Sequence, residues 1–115
     1  MAELKTDFWV QALLRRAAVG GAFATVARKG DTDAGAVLVK VATLDGRARL
    51  YAPAQDGAGE RIWLDLSGGA LGDDEKAVDA YARRRAANDP DVWVIEIEDR
   101  HGRSFLTDPI DPKIS

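Results

Sequence analysis

A few charged side chains stand where they could do chemistry. Glu96 and Glu98 sit two apart in Trp93-Val94-Ile95-Glu96-Ile97-Glu98. On a strand, residues two apart point the same way and are separated by about 6.6 Å. Carboxylates at that range can raise one another's pKa or hold a hard cation such as Mg²⁺. Glycosidase pairs fall near the same separation. The competing reading is a solvated strand face, its acids paired with Arg100 or with an arginine of the second helix. Asp31 and Asp33 lie in Gly30-Asp31-Thr32-Asp33-Ala34-Gly35, which looks like the start of a calcium loop. That loop requires an oxygen ligand where Gly35 sits and a bidentate glutamate where Ala42 sits. What remains is a hairpin connector whose aspartates satisfy backbone N–H groups. Lys40 is the lone charge in an apolar run. It could neutralise the acidic loop, hold an anionic ligand, or run its stem along the sheet to water.

Other chemistries are narrowed by what the chain contains. It has no cysteine, which removes disulfides, thiol nucleophiles and Cys-ligated metal sites. Its one histidine, His101, excludes a multi-histidine metal site within one chain. His101 precedes Ser104 by three residues, but no strand-turn-helix nucleophile elbow surrounds them. Neither G-x-x-x-x-G-K-[ST] nor G-x-G-x-x-G occurs. The net charge is −3, and Arg83-Arg84-Arg85 would fan over about 200° of a helix rather than form one stripe. Nucleic acid is not an expected partner. No apolar run approaches the roughly 18 to 20 residues of a membrane span. Acidic Glu3 and Asp7 interrupt the N-terminal apolar pattern, so it lacks a signal peptide's layout. The expected location is the cytoplasm, with no membrane partner and no cofactor.

The elements that position these groups follow from periodicity. The 115 residues fit one domain, 1–115, with 106–115 as an irregular tail. Residues 4–19 read as a helix with a wide apolar face, started by Thr6 or an earlier residue and stopped at Gly20-Gly21. Strands follow at 22–29, 36–44, 47–52 and 60–66, with Asp45-Gly46 as a two-residue hairpin turn. Residues 73–88 form the second helix, acidic at its start and basic at its end. The strongest strand is 92–98. Trp93, Ile95 and Ile97 face one side; Val92, Val94, Glu96 and Glu98 face the other. Its first half is apolar on both faces, which places it deep in a sheet. A final turn at 99–102 returns 104–106 alongside it. The expected fold is α+β: a single mixed, mostly antiparallel sheet of five or six strands with two helices packed on it.

Several stretches carry a family resemblance. They are Trp9-Val10-x-Ala12 with Arg15, Gly30-Asp31-x-Asp33-Ala34-Gly35 leading into Val37-Leu38-Val39-Lys40, Tyr81 with its following arginines, and Asp89-Pro90-Asp91-x-Trp93-Val94-x-Glu96-x-Glu98-Asp99-Arg100. In these the chain resembles an uncharacterised alphaproteobacterial family, the domain of unknown function numbered fourteen ninety-one. The resemblance implies no activity and no catalytic residue.

Two functions follow as expectations. The first is a small non-catalytic binding or protein-interaction module, with a homodimer as its simplest form and Trp9 and Trp63 as interface residues. Trp63 lies on the face of its strand shared with Arg61 and Asp65, and an outward tryptophan is a common anchor. The second is a Mg²⁺-assisted hydrolase or nuclease. Glu96, Glu98 and one of Asp31 or Asp33 would hold the metal, and Lys40 would stabilise developing negative charge. It requires the acidic loop and Glu96 to converge.

Overall fold

The computed structural model describes residues 5–111. Glu3, position 4 of the expected first helix and positions 112–115 of the expected tail lie outside the described residues. The chain runs α1 (Thr6–Val19), β1 (Phe23–Arg28), β2 (Val37–Ala42), β3 (Ala48–Gln55), β4 (Arg61–Asp65), a short 3₁₀ turn at Leu66–Gly68, α2 (Glu75–Asn88), β5 (Trp93–Glu98) and β6 (Ile110–Asp111). The six strands form one sheet in the order β1-β5-β2-β3-β4-β6. It is an α+β fold with a mixed sheet. β5 is antiparallel to β1 and parallel to β2, and β6 is parallel to β4. Among the described residues no helix is long and apolar enough to cross a membrane.

β5 lies between β1 and β2, as its two apolar faces require. Its odd residues, Trp93, Ile95 and Ile97, join Val37, Val39 and Val41 of β2 beneath Val10 and Leu13 of α1. Val92 and Val94 join Leu38 and Leu50 beneath Val78 and Ala82 of α2. Each helix therefore covers one face of the sheet. Asp74 caps α2 by accepting from the Ala77 N–H. Thr6 does not cap α1: its hydroxyl donates to the Gly35 carbonyl at 3.0 Å, tying the helix to the loop before β2.

The structure corrects four expectations. Gly30–Gly35 is not a hairpin connector, because β5 separates β1 from β2. The loop instead closes on the chain leading into β5. The Asp31 N–H donates to the Asp91 carbonyl and Trp93 Nε1 donates to the Asp31 carbonyl. A Cβ on Gly30 or Gly35 would lie 2.1 or 2.2 Å from the Asp91 oxygen, so only glycine permits this approach. The β2–β3 turn is longer than Asp45-Gly46. Thr43 pairs with Arg47, and positive φ falls on Leu44 and Gly46. Residues 104–106 do not return beside β5. Asp99 binds Arg103 through both oxygens and closes the turn, and Phe105 (φ 61) packs with the α1-face core instead. The tail also regains order, since Ile110–Asp111 pairs with Trp63 and Leu64. Pro53 lies inside β3, but the pairing with β2 runs only from Tyr51 to Ala48, so at Pro53 that side is a local edge.

Candidate binding groove

Lys40 projects from the centre of β2 onto the α2 face. Its β5 neighbour in register is Glu96, and α2 passes above with Glu75 and Asp79 four residues apart, on one face. All three carboxylates reach the ammonium: Glu75 and Glu96 at 2.8 Å, Asp79 at 2.7 Å. Lys40 is 4% exposed, whereas its partners are about a third exposed. Burial alone would lower the Lys40 pKa. The hydrogen bonds to Asp79, Glu75 and Glu96 outweigh it and raise the pKa above the ordinary 10.5. The lysine is a fixed cation that pins α2 to the sheet. Its three N–H donors match three acceptors, so it has none left for an anionic substrate. Of the roles the sequence offers Lys40 (neutralising the acidic loop, holding an anionic ligand, or reaching water along the sheet), none is the one found, since the side chain is buried. Its partners Glu75 and Asp79 read in the sequence only as acids of a helix. Their four-residue spacing beside Val78 and Ala82 was the available signal.

The proposed metal cluster is not assembled. Lys40 and Glu96 meet on the α2 face. Asp31 and Asp33 belong to the loop on the α1 face, where the Asp33 carbonyl accepts from the Thr6 N–H. The Asp31 carboxylate accepts from the Ala34 N–H, and Asp33 pairs with Lys5 at the surface. A sheet lies between the two sets. Glu98 shares the face of Glu96 but not its partner; it lines a shallow depression with Phe23, Leu44, Arg100 and His101 at the end of the sheet. Among the described residues no group of three His, Cys, Asp or Glu side chains could hold a metal ion. Nor is Trp63 an outward anchor: it is 6% exposed and stacks on Trp9 with ring centroids 5.5 Å apart. Strand parity alone misplaced it, because α1 covers the face that Trp63 shares with Arg61 and Asp65.

What the α2 face leaves open is a groove. α2 lies over β3, β2 and the first half of β5 and stops short of β1. Between α2 and β1 runs a cleft of about 420 Å³, floored by Val94, Glu96 and Lys40. One wall is Asp79, Ala82, Arg83 and Ala86; the other is Ala27 and Arg28. Arg28 reaches this side through a bulge. The register shifts after Val26, so that Arg28 rather than Ala27 opposes Val94. Its guanidinium donates to the Val92 and Pro90 carbonyls. Arg83 and Arg28 mark one end of the groove, Asp79 and Glu96 the other. Arg84 and Arg85 turn away and lie against the Tyr81 ring.

This architecture recurs in known proteins. The model of a protein family of unknown function, DUF1491, matches residues 4–107. The chain belongs to the DUF1491 family. A crystal structure of a DUF1491 protein from Caulobacter crescentus CB15 is 57% identical, with a TM-score of 0.87, covering 95% of this chain and all of that one. An NMR structure of a DUF1491 protein from the same organism is 56% identical, with a TM-score of 0.83, covering 96% and 99%. A solution structure of a protein from A. tumefaciens is 32% identical, with a TM-score of 0.76, covering 98% and 100%. No functionally curated protein matches. DUF1491 membership thus fixes the fold and carries no activity with it.

Proposed function

We propose that this DUF1491 chain is a small, non-catalytic binding or protein-interaction module of the cytoplasm, working through the groove between α2 and β1. The supporting observation is a division of labour among its charges. Lys40, Glu75, Asp79 and Glu96 satisfy one another, Asp99 holds Arg103, and Asp65 holds Arg49 and Ser67. The groove beside them combines an apolar middle of Ala82, Ala86 and Val94 with acids at one end and arginines at the other. Its volume falls in the range of about 300 to 1,000 Å³ typical of ligand clefts. It suits an amphipathic segment with an apolar body and charged ends.

Capture from cell lysate on the immobilised full chain tests this, with Arg83→Glu and Ala86→Trp beside the parent. Arg83 is exposed, so its reversal should change stability by less than about 0.5 kcal/mol. A partner held by the parent and lost with both variants supports the groove. A partner retained equally by both, or none recovered by the parent, counts against it.

A further inference from the structure

The groove is walled by a helix on one side and by nothing beyond β1 on the other. β1 is the sheet's edge strand, and its pairing is with β5 alone. The opposite edge, β6, is two residues long. Edge strands are usually blunted by charge, proline or a bulge. Here the bulge comes only after Val26, and Phe23-Ala24-Thr25-Val26 is uncharged. Phe23, 63% exposed, lies on the open α2 side, and Val26, 37% exposed, on the α1 side. The first charge beyond them, Arg28, is folded back onto the Pro90 and Val92 carbonyls.

We propose that β1 pairs antiparallel with β1 of a second copy of this chain, joining two sheets and two grooves into one trough. The inference rests on the groove reading for its purpose but not for its geometry. A two-fold axis normal to the sheet preserves faces, so both α1 layers fall on one side and both open faces on the other. With the axis at Thr25, Ala24 meets the partner's Val26, small against branched. The antiparallel arrangement also reverses one groove against the other. On that axis Glu96 lies level with its counterpart in the second copy, and Glu98, level with Phe23, lies level with the Arg28 bulge of the second copy. β5 of one copy and β1 of the other are two strand spacings apart, about 10 Å, within reach of long side chains. This charge match selects a second copy over an unrelated strand.

Sedimentation equilibrium of the full chain decides it. The parent should be a dimer. Thr25→Lys sets like charges opposite each other and should weaken dimerisation by about tenfold or more. Thr25→Glu should do the same, and mixing the two should restore a dimer. Amide exchange of Ala24 and Val26, whose N–H groups point to the free edge, should slow in the parent as concentration rises, a readout that stands even if a variant fails to fold. A parent monomeric at all concentrations, exchange independent of concentration, or a Thr25→Lys chain that still dimerises would each overturn the proposal. Ala86→Trp separates the two ideas: it fills the groove and should leave the dimer intact.

Discussion

The two faces of the sheet have the same backbone and opposite characters. The α1 face is closed along most of its length, opening at Val26 on the edge strand and at a small pocket of about 90 Å³ beside Thr6, Trp9, Val37 and Trp63. α1 covers Trp93, Ile95 and Ile97, the segment carrying Phe105 and Leu106 packs with them, and Trp9 stacks on Trp63. The α2 face has one helix over β3, β2 and the first half of β5, a charged quartet at its centre, and an uncovered strip along β1 and the end of β5. One face is therefore mostly covered by packing, and the other leaves a strip of sheet open to solvent. A sheet whose strands alternate in both directions could have buried both sides. Instead Glu96 and Glu98 break the apolar pattern of β5 where the cover ends.

The comparison breaks most readily at Trp63. Trp63→Ala should cost about 3 to 5 kcal/mol in a urea melt, because it removes a buried ring that stacks on Trp9 and packs in the α1-face core. A loss below about 1 kcal/mol would mean that the α1 face is as open as its counterpart. Lys40→Met tests the other side. It leaves Glu75, Asp79 and Glu96 together without their cation and should cost about 3 kcal/mol at neutral pH. That deficit should shrink as pH falls toward the carboxylate range near about 4, since protonation removes the repulsion. In the parent the sign is the reverse. The Lys40 pKa is raised, so its contribution is complete below the ordinary 10.5 and is lost only as pH climbs through the raised value. A Lys40→Met deficit that does not vary with pH would show that the quartet stabilises through packing alone.

The smallest effect belongs to Asp99, at the turn joining the faces. Its hydrogen bonds with Arg103 hold its pKa at about 2, against an ordinary 3.8. This contribution is present above 3.8 and fades as pH drops toward 2. Asp99→Asn should lower stability by about 1 kcal/mol at neutral pH and flatten the acid limb of the melting curve. An unchanged acid limb would assign that limb to other carboxylates.

The alternation of β5 was legible because burial on both sides leaves a run of apolar residues with no other use. From it followed the central strand, the two faces and the α+β class. The partners of Lys40 were not legible, because two of the three come from a helix thirty-five and thirty-nine positions later. Nothing in a strand's own pattern names the helix above it. Trp63 was misplaced for a related reason: parity gives the side of a strand, not what covers that side. Gly30 and Gly35 looked like metal-loop punctuation. Their spacing instead serves the close approach of one backbone to another, a requirement visible only once Asp91 is in place.

Placing the penultimate strand in the middle has a consequence for synthesis. β1 and β2 are made early, yet neither can find its sheet neighbour on one side until residues 93–98 have left the ribosome. Until then the growing chain carries two unpaired strand edges and a half-formed interior. Folding of this protein is therefore a late, nearly whole-chain event rather than a progressive one, and chains cut short before β5 should be recovered as aggregates or degraded fragments.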